Sequence, residues 1–249
     1  MGARTRAADA GKGVNTMAVP RRIGMLIFPR LTQLDMTGPY EVLARLPNTT
    51  VDLVARDLDP VKTDRGMRIV PTVTIADCPP LDVVMVPGGP GQQDLMEDEV
   101  VLEFLRKQAS SAKYVTSVCT GSLVLGAAGL LKGRRATCHW AAIDHLRLLG
   151  AIPVRERVVV DGNIVTGAGV ASGIDFALAL AAILDGEQVA REIQLQIEYD
   201  PAPPFNSGSP RTASPETIEA LKARMAKLND ERRTIALRVG RKLGVIPDA

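Results

Sequence analysis

Residues 114–131 leave few options for the fold of this chain, because they combine a short apolar run, one cysteine and a series of small residues. Tyr114–Val118 is β-branched and bounded, which predicts a buried strand. From Gly121 onward, small residues and leucines predict a tightly packed helix. Cys119 lies at the junction, where a sharp strand-to-helix turn exposes its residue at the carboxyl edge of a sheet. The helix amino terminus should favour a thiolate there, so we expect a reactive cysteine and not an inert core thiol.

Strands and helices alternate along the rest of the chain. Apolar runs at 23–28, 51–55 and 81–86 predict strands, and the last is nearly continuous, as in parallel sheets buried on both faces. An aspartate–glycine turn predicts a hairpin over 158–166. The alternation predicts an α/β fold with a doubly wound, mostly parallel sheet flanked by helices. Ligands of such folds bind outside the carboxyl ends of the strands.

Three loops are expected to meet at that edge. Residues 31–39 form a loop that holds Asp35, before a helix over 40–46 that begins after Pro39. Gly88 and Gly89 follow the strand at 81–86 and could offer backbone N–H groups to an anion or oxyanion, although no phosphate-loop motif follows. The cysteine elbow is the third. Spacing alone leaves Asp35 two roles, as a helix cap or as a catalytic carboxylate.

Composition narrows the class of protein. The 249 residues are 46% hydrophobic, which suits one α/β domain with extensions. A net charge of +2 gives no general case for nucleic acid or membrane binding, and no apolar run is long enough for a transmembrane helix. We expect a disordered tail at 1–17, the α/β domain at 18–200, and a proline-rich arm with a helix at 201–249, packed on the domain or on a dimer partner.

Three cysteines without metal-ligand spacing predict no metal site and a reducing cytoplasm.

The remaining patterns predict secondary roles. Further elements are expected at 69–75 (strand or hairpin arm) and at 100–110, 141–149, 174–184 and 187–198 (helices). Ser214 should cap a long polar helix towards Gly244. Its basic residues are expected to face solvent: Lys222, Arg224, Lys227, Arg232, Arg233, Arg238, Arg241 and Lys242. Cys78 and Cys138 are expected to be inert, and His145 to lie at the surface.

The elbow, together with 128–131 (AGLL) and 136–140 (ATCHW), resembles the DJ/PfpI superfamily, which is related to class I glutamine amidotransferases. Residues 33–39, 78–83 and 201–210 are similar to its isocyanide-hydrating members. The resemblance covers about 18–210 and implies a flavodoxin-like enzyme, a carbon–nitrogen lyase. It would hydrate a small-molecule isocyanide to an N-substituted formamide through a covalent thioimidate. No cofactor is implied, and a homodimer is expected.

The resemblance also implies roles for individual residues. Cys119 matches the nucleophile and Asp35 its acidic partner. The residues expected to line the site are Thr120, Gly88, Gly89, Ala168, Gly169 and Val170. Ala168 stands where the family usually has glycine, and its methyl group bears on substrate size. His139 could polarise a group near the cysteine or could be an ordinary core histidine.

Two other functions stay open. One is a different cysteine hydrolase or lyase of the superfamily, such as a glyoxalase- or peptidase-like protein. Thr120 follows Cys119 where the peptidase-like branch has histidine, which weakens that alternative. The other is a non-enzymatic ligand sensor related to the amino-terminal domains of transcription regulators. A single helix after Pro210 leaves no room for their two helix-turn-helix units.

Overall fold

A computed structural model describes residues 20–246 of the chain. The tail expected at 1–17 lies outside the described residues, and the boundary expected near residue 200 stays a prediction. Within the described part, no helix has the length and apolar character needed to span a membrane.

Eleven short strands are present in residues 20–246. They are β1 (Arg21–Leu26), β2 (Thr49–Ala55), β3 (Val61–Lys62), β4 (Arg68–Ile69), β5 (Val73–Thr74), β6 (Val83–Val86), β7 (Tyr114–Val118), β8 (Arg135–Ala136), β9 (Ile152–Pro153), β10 (Val158–Asp161) and β11 (Ile164–Gly167). Seven form the main sheet, in the order β10-β11-β7-β6-β1-β2-β5. All neighbours in it are parallel except the β10–β11 hairpin. The predicted doubly wound, mostly parallel sheet is confirmed.

Helices enclose this sheet. They are α1 (Gln33–Leu43), α2 (Gln92–Leu95), α3 (Glu99–Ala109), α4 (Gly121–Ala127), a 3₁₀ helix (Ile143–Leu149), α5 (Ser172–Asp185), α6 (Glu187–Gln196) and α7 (Pro215–Lys242). In one group, α1 packs on α5 and α5 on α6; in the other, α4 and α7 pack on the 3₁₀ helix. All four residues of β6 are buried, although successive side chains point to opposite faces. Both faces of the sheet centre are therefore covered.

The helix that carries Asp35 begins seven residues earlier than expected. Asp35 belongs to the first turn of α1, and Pro39 lies inside the helix. A proline inside a helix removes one backbone hydrogen bond, so the sequence predicted that the helix would start only after Pro39. Packing against α5 outweighs that loss, because Gly173 lets the Pro39 ring approach so closely that an added Cβ would lie 3.1 Å from it. The capping role is also wrong for Asp35, because the N-cap position is Thr32.

Two further expectations need correction. The strand expected over 69–75 is interrupted at Pro71, leaving β4 and β5 with two residues each. The segment expected as a helix over 141–149 is a 3₁₀ helix over Ile143–Leu149, and it is followed by Gly150, where φ is +80°. The helices predicted at 100–110, 174–184, 187–198 and after Ser214 differ from the observed ones by at most two residues at either end, whereas the elbow helix, expected to close at Gly133, ends at Ala127. The predicted Ser214 cap is confirmed, since its side chain accepts the Thr217 N–H at 3.3 Å.

Candidate active site

The turn after β7 has strained backbone geometry. Cys119 has a φ of +58°, a value that residues with a side chain rarely adopt. Its N–H donates to the Gly167 carbonyl at 3.0 Å, which ties the turn to the end of β11. A Cβ at Gly121 would collide with the Val86 carbonyl, so glycine is needed for α4 to start against β6. The expected strand–turn–helix elbow is present.

Asp35 reaches the elbow from the first turn of α1. Its side chain is fully buried, and its Oδ2 accepts the Gly88 N–H at 2.9 Å. Its Oδ1 is buried without a well-formed hydrogen bond. Burial raises the pKa of Asp35 to about 7, and the nearby Cys119 thiol and the Gly88 N–H only partly oppose this rise. A carboxyl group with this pKa can both give and take a proton near neutral pH.

The Cys119 thiol shares this environment. It is 5% exposed, and burial raises its pKa well above the ordinary value. The Asp35 carboxylate raises the pKa further, while the Thr120 N–H lowers it. Burial and the neighbouring carboxylate therefore oppose the thiolate that the helix amino terminus was expected to favour. The resting cysteine is a thiol, with a proton acceptor beside it.

The glycine pair after β6 holds this arrangement together. The Gly88 N–H binds Asp35, and the Gly89 N–H donates to Thr120 Oγ1 at 3.1 Å. Both groups are used within the protein, so they are not free donors for an anion as the sequence left open. A Cβ at Gly88 would lie 2.5 Å from the Thr120 nitrogen and 2.7 Å from Asp35 Oδ2. Glycine at this position lets the loop, α1 and the elbow meet.

A cavity of about 260 Å³ opens beside the turn that follows β11. Ala168 and Gly169 line it, together with Cys138 and Trp140. Residues 208–211 of the proline-rich arm also line it. Val170 is half-buried against the hydrophobic core and lies outside this lining. The expected site residues thus divide between the Asp35–Cys119 centre and this neighbouring cavity.

His139 lies next to the same turn. A Cβ added at Gly169 would be 3.8 Å from its ring, and its Nδ1 accepts the Ala141 N–H at 3.3 Å. Burial lowers the pKa of His139 to about 4, so the imidazole is neutral at neutral pH. Within residues 20–246 it makes no hydrogen bond to Cys119 or Asp35. The structure therefore does not place His139 in the proton transfer.

Arg232 is the charged residue that sequence reasoning missed. It was expected to face solvent from α7, but only 3% of it is exposed. Its Nη1 donates to Asn229 Oδ1 at 3.2 Å, and its Nε is buried without a partner. The positive charge lowers the pKa of His139, of the half-buried His145 and of Cys138. Its burial could have been predicted from its spacing, because Arg232 lies four residues before the buried Ala236 and seven before the buried Val239, on the same face of the helix.

The two remaining thiols are shielded. Burial raises the pKa of Cys78 and of Cys138 to about 11, so both stay protonated near neutral pH. The part of the chain that the structure describes holds no group of three His, Cys, Asp or Glu side chains arranged for a metal ion.

Comparisons with known proteins identify the family of this chain. The family model described as DJ-1/PfpI matches residues 21–183. An isonitrile hydratase from Pseudomonas putida is 56% identical over 90% of this chain and 98% of its own length. Protein DJ-1alpha from Drosophila melanogaster is 31% identical over 68% of this chain and 80% of its own length. The crystal structure of a ThiJ/PfpI family protein from Pseudomonas syringae is 42% identical, with a TM-score of 0.85 over 92% of this chain and 97% of that one. The chain therefore belongs to the DJ-1/PfpI family.

Proposed function

We propose that this protein hydrates an isocyanide to an N-substituted formamide, with Cys119 as nucleophile and Asp35 as acid and base. The observation that carries the proposal is the buried Asp35 carboxyl, with a pKa of about 7, beside a thiol on a strained elbow. The similarity to the Pseudomonas putida isonitrile hydratase supports the substrate class. The carbon–nitrogen lyase class and a homodimer belong to the same proposal. Free thiols at all three cysteines suit a reducing cytoplasm.

The first half of the reaction forms a thioimidate. The ionised Asp35 carboxylate takes the proton of the Cys119 thiol as the sulfur attacks the terminal isocyanide carbon. The protonated Asp35 then delivers that proton to the same carbon, which gives R–N=CH–S–Cys119. One carbon–sulfur bond and one carbon–hydrogen bond form, and Asp35 returns to its carboxylate form.

The second half consumes water. Asp35 accepts a proton as water attacks the thioimidate carbon, and it passes this proton to the nitrogen. The carbon–sulfur bond then breaks, the hydroxyl proton returns to the sulfur, and R–NH–CHO leaves. Each cycle consumes one water and no net proton, so one carboxyl group with a pKa near 7 serves both halves.

Substitution of Cys119 tests this mechanism. We expect Cys119→Ala to abolish formamide formation from phenyl isocyanide, because covalent attack is lost. Cys78→Ala is the matched control and should keep its activity, since Cys78 lies outside the site. Intact-mass spectrometry of the wild type, quenched during turnover, should find an adduct of one substrate mass on Cys119.

Near-wild-type turnover by Cys119→Ala would refute the mechanism. Methylglyoxal should be assayed in parallel, because a glutathione-independent glyoxalase from Caenorhabditis elegans is 33% identical over 52% of this chain. Conversion of methylglyoxal without hydration of phenyl isocyanide would favour the glyoxalase-like alternative.

A further inference from the structure

We propose that the cavity of about 260 Å³ binds the N-substituent of the substrate and favours a single aromatic ring that carries an anionic group. This inference rests on the proposed hydration reaction and defines which isocyanides the site prefers. It is carried by the position, the size and the charge of the cavity wall.

The cavity is connected to the nucleophile through the end of β11. Gly167 accepts the Cys119 N–H at 3.0 Å, and the two residues that follow it, Ala168 and Gly169, line the cavity, although Cys119 and Asp35 do not. Cys138 also lines the cavity and is close enough to Cys119 to raise its pKa. An isocyanide carbon held at the Cys119 sulfur would therefore direct its substituent into this space.

The size and the apolar surfaces of the cavity suit one substituted ring. Trp140, Ile143 and Pro210 provide flat or aliphatic surfaces. Cavities of about 150 Å³ can hold benzene, so about 260 Å³ holds a ring with one further small group. Ala168 is part of the lining, where a glycine would leave more room.

The charged side chains that line the cavity differ in whether they have a partner of opposite charge. Arg155 and Arg157 line the cavity, but Asp144 and Asp175 bind them at 2.8 Å and 2.6 Å. Glu156 also lines the cavity with a side chain that is 63% exposed, and its partner is Arg135, which lies 4.0 Å away and is not part of the lining. Three of the four charged wall residues therefore have partners of opposite sign.

Arg211, on the arm, is the exception. It lines the cavity and makes no salt bridge within residues 20–246. A carboxylate on the far end of a bound ring would supply the missing partner, and a cationic group would meet repulsion. The arm lies beyond the family match at 21–183, so this preference is not a property of the shared family core.

Turnover of three aryl isocyanides tests the charge preference. The substrates are phenyl isocyanide, 4-isocyanobenzoate and (4-isocyanophenyl)trimethylammonium. We expect kcat/KM in the order anionic, neutral, cationic, with the anionic substrate favoured about two- to fivefold, as for a solvent-exposed ion pair. The difference should lie mainly in KM. Arg211→Gln should remove most of it.

Arg224→Gln is the matched control for loss of one cation. Arg224 is exposed on α7 and its side chain donates only to Ala220 of its own helix. Equal kcat/KM for the three substrates, or a preference that survives in Arg211→Gln, would overturn the inference. Failure of the wild type to hydrate phenyl isocyanide would instead refute the proposed function.

The only tryptophan of the sequence, Trp140, gives a test that needs no turnover. In the Cys119→Ala variant, the product analogues 4-formamidobenzoate and formanilide should change its fluorescence, because both would contact the indole. The anionic analogue should bind about two- to fivefold more tightly, and Arg211→Gln should make the two affinities equal. No change in emission with either analogue would show that the cavity does not receive the ring.

Discussion

Burial acts in the same direction on Asp35 and Cys119, because each is costly to ionise away from water. The pKa values of both groups are raised, and the negative charge of one opposes ionisation of the other. Near pH 7 the Cys119 thiol therefore keeps its proton, while the Asp35 carboxyl is protonated in only part of the molecules. Because each group affects the ionisation of the other, the pair titrates as a unit. Such a pair stores a proton where the reaction needs it and avoids a permanently charged sulfur.

The substitution Asp35→Asn should separate the two roles of this residue. Asparagine keeps the shape but can neither give nor take the proton, so we expect turnover of phenyl isocyanide to fall about a hundredfold to ten-thousandfold. The Cys119 pKa should fall at the same time, because the carboxylate that raises it is gone. Iodoacetamide should then label Cys119 faster at a given pH, while catalysis declines.

The matched control is Asp94→Asn, which removes an exposed carboxylate paired with Arg30. Rates of hydration and the pH profile of Cys119 labelling by mass spectrometry are the two measurements. Unchanged turnover in Asp35→Asn would return Asp35 to a structural role.

The buried cation on α7 makes a prediction about His139. Replacing Arg232 with methionine removes a charge that lowers the pKa of His139, so this pKa should rise from about 4 towards its ordinary value. The sequence has only two histidines, which makes the NMR titration simple to assign. Arg233→Met is the control, since Arg233 is exposed on the next position of the helix. An unchanged His139 titration in Arg232→Met would show that the charge does not reach the imidazole.

Among the elements, the loop after β6 is the one that connects all parts of the reactive pair. Gly88→Ala would place a methyl group against the Thr120 backbone and the Asp35 carboxylate. We expect a loss of stability of about 1–3 kcal/mol, as for overpacked sites, and a large loss of turnover because Asp35 is displaced. Gly208→Ala is the stability control, because nothing lies within 4 Å of its added Cβ. Equal melting temperatures for the two variants would contradict this account of the loop.

Most strands of the main sheet could be predicted from the sequence, because a strand is recognisable from its own run of apolar residues. The apolar run of β6 and the turn of the β10–β11 hairpin required no tertiary information. The start of α1 could not be predicted without tertiary information, because only the packing of Pro39 on Gly173 shows why the helix runs through a proline. The 3₁₀ helix has the composition of an α-helix, so local propensity did not distinguish them.

The meeting of the Asp35 loop with the Cys119 elbow could be predicted from the strand ends, whereas the electrostatics of the site could not. The catalytic role given to Asp35 came from the family resemblance, because spacing alone left it open. The raised pKa values of Asp35 and Cys119, and the burial of Arg232, depend on groups packed around them from distant parts of the chain. Solvation is a property of the assembled molecule, which is why the sequence did not reveal the burial that opposes a thiolate at Cys119.

At the scale of the whole molecule, Asp35 couples protonation to folding. Its pKa is about 3.8 when unfolded and about 7 when folded, so between these values the folded state holds more protons. The stabilising contribution is complete below about pH 4 and is lost as the pH rises through 7. The wild type should thus lose stability relative to Asp35→Asn between pH 5 and pH 8, by an amount on the order of a few kcal/mol.

Urea unfolding of both proteins at pH 5, 6.5 and 8 measures this difference. It should grow with pH in favour of the asparagine variant. A constant difference across the three conditions would mean that the carboxyl group is not protonated in the folded protein near neutral pH.

The two edge strands of the main sheet bear on whether the protein aggregates at high concentration. At one end β5 has only two residues, with Pro71 just before it, and at the other β10 is a four-residue hairpin arm. Short edges and nearby prolines leave few unpaired backbone groups in a row, so an incoming strand has little template to extend. The main sheet is thereby guarded against fibre-like aggregation through its edges.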